Sequence, residues 1–317
     1  MALETGTGKV EKLLERCRGL APIPTAIAWP CDETSLAGAL DAGKDRLITP
    51  ILVGPPAKIA EVAKSKNLVL GDAEIVDAPT SRAAATKAVE LVRTGRAELL
   101  MKGSLHSDEI LAAVVARETG LRTGRRLSHV FLMDVPTYHK VLLVTDGAIN
   151  IAPTLEDKVD ICQNAIDLAR AFGIERPKLA ILAAVETVNS KMPATLDAAA
   201  LCKMAERGQI RGGLLDGPLA FDNAISREAA KTKGIVSDVA GDPDILLAPD
   251  LEAGNMVAKQ LSFLARADSA GLVLGARVPV ILTSRADSVR SRIASCAVAM
   301  LAAHARRKSA SLAGQGA

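Results

Sequence analysis

The sequence predicts an α/β protein of two lobes, in which parallel or mixed sheets are covered by helices. Short runs rich in Leu, Ile and Val alternate with longer amphipathic runs along the 317 residues, which is the order of βαβ units. Some short runs, such as LAILAAV at 179–185, are apolar throughout, as in strands buried on both faces. The length favours two medium domains over one.

The strands are predicted where apolar or β-branched runs are flanked by turn residues. Between them lie helical segments, of which Leu155–Phe172 is the clearest because its apolar residues recur at i, i+3 and i+4. The predicted strands are Thr25–Ala28, Thr49–Val53, Glu74–Val76, Leu99–Met101, Ser128–Met133, Val141–Thr145, Lys178–Ala183, Gly213–Leu215, Ile245–Ala248, Ser269–Leu274 and Pro279–Leu282.

Two features suggest where the domains divide. The basic, glycine-containing stretch Arg117–Arg126 precedes two strands joined through Pro136, and a Gly, an Arg and a Pro separate two strands near 274–279. We therefore predict a discontinuous first domain, residues 1–133 with 275–317, and an inserted second domain, residues 134–274.

Composition excludes several classes of function. A net charge of +3 is too balanced for a protein that binds nucleic-acid backbones, and 2% aromatic residues leave few rings for base stacking. No apolar run approaches the roughly 20 residues of a membrane span, and the amino terminus has no secretory apolar core. Five scattered cysteines without a C-x-x-C pair indicate reduced thiols in the cytoplasm. The expected partners are small anionic molecules, with neither nucleic acid nor membrane.

The segment LTSRADSVRSRIAS, residues 282–295, is the most informative motif. We expect a strand to end near Leu282 and a helix to follow, with Ser284 or Asp287 as its cap. The first-turn N–H groups and Arg285 would then form an anion site at the carboxyl edge of a parallel sheet, where α/β proteins bind ligands. The alternative is an ordinary capped surface helix with a salt-bridging arginine.

Two further strand-end loops carry candidate ligand groups. KGSLHSDE contains Lys102, Ser104 and His106, and TDGAINIAPT contains Asn150. Each has a structural alternative. His106 would be a simple capping group, beside the cap-like residues that follow it. The Asn150 loop would be a tight turn followed by Pro153 at helix position N1.

Other motifs have weaker functional interpretations. GPLAFDNA and APDLEAGN each follow a predicted strand, but their carboxylates lack the third ligand and the partner His expected of a metal site. GTGKV lacks the first Gly and the final hydroxyl of a P-loop, which favours a helix start. His129 lies in an apolar strand, where a core histidine with one satisfied nitrogen is expected.

Taken together and in order, several of these stretches resemble the phosphate acyltransferase family of phosphotransacetylases and phosphate butyryltransferases. They cover most of residues 100–291, and the run LTSRADS, with the short chain length, resembles the butyryltransferase branch more than typical acetyltransferases. The matching stretches are KGSLHSDEIL, SHVFLMDVP, TDGAINIAPT, GGLLDGPLAFDNA, DILLAPDLEAGN and VPVILTSRADS.

The resemblance implies a fold related to isocitrate and isopropylmalate dehydrogenases, an active site in the cleft between two lobes, and a homodimer. It implies reversible acyl transfer between coenzyme A and phosphate, with coenzyme A as a substrate, no tightly bound cofactor and no metal. None of the five cysteines is needed as a nucleophile if transfer is direct.

The resemblance also implies roles for individual residues. Ser284 and Arg285 match the family's transition-state and phosphate contacts. Acetyltransferases place an aspartate six residues after that arginine, proposed to take the thiol proton, where this chain has Ser291. Asp287, one helical turn earlier on the same face, is the substitute candidate. The candidate substrate- or phosphate-binding residues are Lys102, Ser104, His106, Ser128, Asn150, Asp222 and Asn255.

Two other classes of function stay open. A dehydrogenase of the related fold would need a nicotinamide site and usually metal-binding aspartates, but no convincing G-x-G-x-x-G follows a strand and no carboxylates are paired at ligand spacing. The second class is a non-catalytic protein that binds acyl phosphates or coenzyme A, which the departure at Ser291 keeps open.

Overall fold

The computed structural model describes residues 8–283 and 288–314, which belong to two compact units. The first unit contains residues 8–10 and Arg126–Ser269, and the second contains Glu11–Arg125 with the described residues from Ala270 onward. Both units are built of β-strands and α-helices, which confirms the predicted fold class. The domain limits 133/134 and 274/275 and the active-site cleft stay predictions.

Every predicted strand is present, with bounds that differ by a few residues. The strands are β1 Ile23–Ala28, β2 Ile48–Val53, β3 Glu74–Val76, β4 Leu99–Lys102, β5 Ser128–Asp134, β6 Leu142–Thr145, β7 Lys178–Leu182, β8 Leu214–Leu219, β9 Ile245–Leu247, β10 Asp268–Leu274 and β11 Val280–Ile281.

The helices fill the intervals between the strands. No helix within residues 8–283 and 288–314 combines the length and apolar character needed to cross a membrane. The helices are α1 Lys9–Cys17, α2 Glu33–Lys44, α3 Pro56–Ser65, α4 Ser81–Arg93, α5 Ser107–Val115, α6 Leu155–Ala171, α7 Pro193–Glu206, α8 Phe221–Ile225, α9 Arg227–Thr232, α10 Leu251–Phe263 and α11 Val289–Gly314.

In the second unit, the strand order is β3-β2-β1-β4-β11-β10. All of these strands are parallel except β10, which is antiparallel to β11. Ile281 of β11 lies opposite Met101 of β4, so both strands end at the same edge of the sheet. Helix α11 packs on α2 and on β11. The carboxyl ends of β1, β4 and β11 are therefore neighbours.

In the first unit, the strand order is β5-β6-β9-β7-β8. β5 and β6, the two strands predicted on either side of Pro136, form an antiparallel pair, and the other neighbouring strands are parallel. Helices α6 and α10 pack on β5 and β6. Because β5 is antiparallel to β6, the amino end of β5 shares an edge with the carboxyl ends of β6, β9, β7 and β8.

Helix starts follow local chemistry, with one correction. Thr154 is the N-cap of α6: its hydroxyl accepts from the Asp157 N–H at 3.2 Å, and the Asp157 carboxylate accepts from the Thr154 N–H at 3.1 Å. Pro153 therefore precedes the cap. The sequence suggested that it would occupy helix position N1, which is wrong. A proline directly before the cap also restricts the end of the preceding loop, because its ring fixes φ.

The GTGKV motif contributes a helix start, as its departure from the P-loop pattern indicated. Helix α1 begins at Lys9, whose ammonium donates to the carbonyl of Val135 at 2.7 Å and to that of Tyr138 at 2.5 Å. The same ammonium lies 3.0 Å from a carboxylate oxygen of Asp134. Lys9 is buried and held by carbonyl and carboxylate oxygens of its own unit.

Candidate functional site

The loops after β1 and β4 in the second unit are joined mainly through backbone groups. The Gly103 N–H donates to the Ala28 carbonyl at 2.9 Å, and the Ser104 N–H donates to the Trp29 carbonyl at 2.8 Å. A Cβ at position 103 would lie 2.4 Å from both carbonyl oxygens, so only glycine allows this approach. The Ser104 hydroxyl donates to Trp29 O at 2.9 Å and accepts from the Cys31 N–H at 3.3 Å. Ser104 thus helps to hold the two loops together.

Lys102 is a charged residue at this edge. It is the last residue of β4, it is buried, and its ammonium donates to the Gly103 carbonyl at 3.4 Å. The register that pairs Met101 with Ile281 places Lys102 level with Leu282. The chain therefore leaves β11 beside Lys102 and continues into residues 284–287.

Three predicted catalytic residues, Ser284, Arg285 and Asp287, lie outside the described residues. The helix cap expected at Ser284 or Asp287 falls on these residues too. Among the described residues, the Ser288 hydroxyl accepts from the Ser291 N–H at 3.1 Å. Helix α11 accordingly begins at Val289. A serine three residues before the N–H it accepts from is the ordinary geometry of an N-cap.

Ser291 lies in the first turn of α11 and is buried. Its hydroxyl accepts from the Ser288 hydroxyl at 3.1 Å, and its carbonyl accepts from the Ser295 hydroxyl at 2.8 Å. A neutral hydroxyl is a hydrogen-bond donor and acceptor and lacks the basicity of a carboxylate. Ser291 therefore does not replace the family's aspartate as a proton acceptor.

His106 is an exposed N-cap residue of α5. Its N–H donates to the Glu109 carboxylate at 3.1 Å, and Glu109 also accepts from the Ser81 hydroxyl at 2.6 Å. These hydrogen bonds, the one from Ser81 first, lower the pKa of Glu109. The side chains of Ser107 and Asp108 suggested that one of them caps the helix. Both lie inside it, because the N-cap is His106 and α5 begins at Ser107.

In the first unit, Asp146 organises the loop after β6. One carboxylate oxygen accepts from the N–H groups of Ala148 at 2.9 Å and Ile149 at 3.1 Å. The other accepts from the Asn150 N–H at 3.2 Å and from its side-chain amide at 2.6 Å. Asp146 is buried, so these bonds replace the water that the carboxylate loses on folding.

The Asn150 side chain is held within the same unit. Its amide nitrogen also donates to the Leu127 carbonyl at 2.8 Å, and its oxygen accepts from the Arg126 guanidinium at 2.8 Å. Both amide hydrogens and the oxygen are thus engaged, and the residue is buried. This geometry favours the turn interpretation of TDGAINIAPT over direct ligand binding by Asn150.

The remaining candidates of the first unit differ in exposure. Ser128 is buried in β5 and accepts from the Asn164 amide at 2.9 Å. Asn255, in the first turn of α10, donates to the Gly147 carbonyl at 3.0 Å, so Asn150 and Asn255 hold the same loop. Asp222 is exposed in α8 after β8, which β7 separates from β9.

Sequence reasoning missed the loop after β7, residues 183–192. Its Glu186 accepts from the Asn223 amide at 3.2 Å and from the Lys233 ammonium at 3.0 Å, and the latter bond lowers the pKa of Glu186. The signal was available, because the polar run ETVNSKM separates a buried strand from α7 and such long loops often carry function.

His129 is buried, as its apolar strand predicted, but its Nδ1 has no hydrogen-bond partner within residues 8–283 and 288–314. Its ring lies 4.2 Å from that of Phe131. Burial lowers the pKa of His129 to about 4, against the opposing effect of Asp146, so the imidazole is neutral near pH 7.

The carboxylates of APDLEAGN have a structural role. Asp250 is the N-cap of α10, where it accepts from the Ala253 N–H at 2.8 Å. Within the part of the chain that the structure describes, no three His, Cys, Asp or Glu side chains are grouped as metal ligands would be.

All five cysteines are free thiols. Burial raises the pKa of Cys17 and Cys31 to about 11, raises that of Cys202 and Cys296 to about 12, and raises that of Cys162 as well. The reactive form of cysteine is the thiolate, which is scarce at neutral pH when the pKa is this high. The thiols are therefore poor nucleophiles.

Comparisons with known proteins give a consistent result. The family model described as "Phosphate acetyl/butaryl transferase" matches residues 79–300. A phosphate acetyltransferase of Rhizobium meliloti is 64% identical over 305 residues, which are 96% of each chain. A phosphate butyryltransferase of Clostridium acetobutylicum is 45% identical over 278 residues, covering 88% of this chain and 92% of that one.

Solved structures agree. A branched-chain phosphotransacylase from Enterococcus faecalis has a TM-score of 0.78 and 32% identity, with 89% of this chain and 99% of that chain covered. A 4-hydroxythreonine-4-phosphate dehydrogenase from Burkholderia phymatum has a TM-score of 0.55 and 13% identity, with 90% and 99% covered, which is a likeness of fold alone. The LTSRADS run suggested the butyryltransferase branch. Over the whole chain, however, the identity to the protein named phosphate acetyltransferase is 64%, against 45% to the phosphate butyryltransferase.

Proposed function

Because the chain belongs to the phosphate acetyl/butyryltransferase family, we propose that it transfers a short acyl group reversibly between coenzyme A and inorganic phosphate. The reaction is acyl-coenzyme A plus phosphate giving acyl phosphate plus coenzyme A. The observation that carries this proposal is the 64% identity to a phosphate acetyltransferase over 96% of both chains. The dehydrogenase alternative has only a likeness of fold in its favour.

Arg285 and Ser284 are proposed as the groups that meet the reacting atoms. In the direction that forms acyl-coenzyme A, the thiol sulfur attacks the carbonyl carbon of the acyl phosphate, the carbon–oxygen bond to phosphate breaks, and phosphate leaves. The planar guanidinium of Arg285 binds phosphate oxygens, and Ser284 stabilises the charge that develops on the carbonyl oxygen. The end of β11, from which the chain enters this segment, lies next to the end of β4 at the carboxyl edge of a parallel sheet, which supports the assignment.

The thiol proton needs an acceptor, since the thiol is mostly protonated near neutral pH. Asp287 is proposed for this role, because Ser291 has a hydroxyl where the family's acetyltransferases have a carboxylate. Lys102, His106 and Asp222 stay proposed as ligand contacts. Ser104, Ser128, Asn150 and Asn255 are proposed to act through the loops and strands that they hold.

Several finer assignments belong to the same proposal. Coenzyme A is a substrate, no cofactor is tightly bound, and acyl transfer is direct, without metal and without a cysteine nucleophile. The enzyme is a cytoplasmic homodimer whose partners are small molecules. Light scattering after size-exclusion chromatography tests the dimer, and a mass near 33.0 kDa would contradict it.

The deciding experiment measures free thiol released from acetyl-, propionyl- and butyryl-coenzyme A, with and without phosphate. We expect release that requires phosphate, and the order of kcat/KM among the three substrates gives the acyl preference. Release without phosphate would indicate a hydrolase. Tight binding of coenzyme A without any release would favour the non-catalytic binding protein. Stabilisation by NAD in a thermal shift assay would favour the dehydrogenase.

A further inference from the structure

Helix α11 carries a buried arginine that contacts both ends of the segment 284–287. The Arg292 guanidinium donates to the Thr283 hydroxyl at 3.0 Å, and Thr283 is the residue directly before the segment. The Arg292 N–H donates to the carbonyl of Ser288, the residue directly after it, at 3.1 Å. The second bond is the ordinary backbone bond of the first helical turn, which any residue at position 292 would make, so only the bond to Thr283 depends on the guanidinium.

The residues around Arg292 shield its side chain from water and leave space for it. Arg292 is 3% exposed and Thr283 is 4% exposed, so their hydrogen bond is shielded from water. On the facing helix α2, a Cβ at Gly38 would lie 2.9 Å from Cδ of Arg292, so the missing side chain leaves room for the arginine stem. Burying a charge is costly, and an apolar side chain would fill this space at lower cost if packing were its only role.

We infer that Arg292 is a positioning residue for acyl transfer: by tying Thr283 to the first turn of α11, its guanidinium holds in place the residue that directly precedes Ser284 and Arg285. This inference rests on the proposed function. The Arg292 side chain acts through Thr283 and need not touch a substrate. The planar guanidinium suits this role better than an ammonium, because its fixed fork sets direction as well as charge.

A positioning role predicts a specific kinetic result. Displacing reacting groups by about 1 Å can cost about 100-fold in rate. Binding groups elsewhere, such as Lys102, would stay in place. Loss of the guanidinium should therefore lower kcat and leave KM for acyl-coenzyme A nearly unchanged. A purely structural role would instead lower the melting temperature and change kcat only through the loss of folded protein.

The experiment compares Arg292→Met, Arg292→Lys, Thr283→Val and Gly38→Ala with the wild type. For each, kcat, KM for acyl-coenzyme A, KM for phosphate and the melting temperature are measured. We expect kcat to fall about 100-fold in Arg292→Met and about tenfold in Thr283→Val, with partial recovery in Arg292→Lys. Gly38→Ala should lower kcat in the same direction, because its methyl group displaces the arginine stem without changing its chemistry. Arg290→Lys, on the same helix, is the control and should match the wild type.

The outcomes separate this inference from the proposed function. If the wild type shows no phosphate-dependent thiol release, the proposed function fails and the inference falls with it. If the wild type is active and a folded Arg292→Met keeps its kcat, the inference alone is wrong. Should Arg292→Met not fold, wild-type kcat in both Thr283→Val and Gly38→Ala would overturn it. A fall in kcat that only parallels lost folded protein would also overturn it.

Discussion

The two units fix the loops at their sheet edges by different means. In the first unit, buried side chains do so: Asp146 gathers four donors, and Asn150 has both amide hydrogens and its oxygen engaged. In the second unit, backbone bonds at Gly103 hold the loops, assisted by the Ser104 hydroxyl, and Lys102 stands beside them. Asp146 and Asn150 show that a polar residue after a strand can serve as scaffold, and their hydrogen-bond partners reveal that role.

Replacing Arg285 should have the largest effect, and this effect should be on the rate of catalysis and not on stability. In the proposed mechanism Arg285 binds the phosphate oxygens on which charge develops as phosphate leaves, so kcat of Arg285→Ala should fall about 100- to 1,000-fold. The melting temperature should stay near that of the wild type. Steady-state kinetics and thermal melting measure the two quantities, and Arg82→Ala, an exposed arginine on α4, is the control. Full activity of the variant, or its wholesale unfolding, would refute the assignment of Arg285.

Replacing Asp146 should affect the scaffold of the first unit. Asp146→Ala leaves its buried donors without their acceptor, which should lower the free energy of unfolding by about 3 kcal/mol. Urea unfolding at pH 7 measures this change, with the exposed Asp238→Ala of the same unit as control. If the two variants are equally stable, the Asp146 network does not hold the unit together.

Acid should weaken the first unit through His129. The pKa is lowered from 6.5 to about 4 in the folded protein, so the unfolded chain takes up the proton first as pH falls. The stability tied to the neutral imidazole is therefore complete above pH 6.5 and is lost as pH falls toward 4. Between pH 8 and pH 5 the loss should be roughly 2 kcal/mol.

Unfolding curves at both pH values test this. His129→Phe keeps a buried ring without a titrating group, so it should lose less stability than the wild type over the same interval. The difference between the two proteins isolates His129 from carboxylates that titrate in both. Equal losses would show that His129 does not titrate as described.

Removing the Ser104 hydroxyl should have the smallest effect. Ser104→Ala loses two half-buried hydrogen bonds between the loops after β1 and β4, which should cost about 1 kcal/mol because the backbone bonds at Gly103 remain. The exposed Ser107→Ala is the matched control, and urea unfolding is the measurement. A loss larger than that of Asp146→Ala would reverse the comparison between the two units.

The strands were predictable because their signal is local. Each is a short apolar run between turn residues, as in Ile245–Leu247. The fate of site residues depended on distant partners. Asn150 is engaged by Leu127 and Arg126, which are 23 and 24 positions away. Arg292 lies in a run of polar residues typical of a surface helix, yet it is buried where Gly38 of another helix makes room.

Burial of the cysteines lowers the background signal that the protein itself would give in an assay of thiol release. Because burial raises their pKa values, the five thiols stay protonated at neutral pH; four are buried and Cys202 is partly buried. A chromogenic disulfide reagent in the cuvette would therefore report the coenzyme A set free and react slowly with the polypeptide. Turnover can be followed continuously by colour, without first replacing any cysteine.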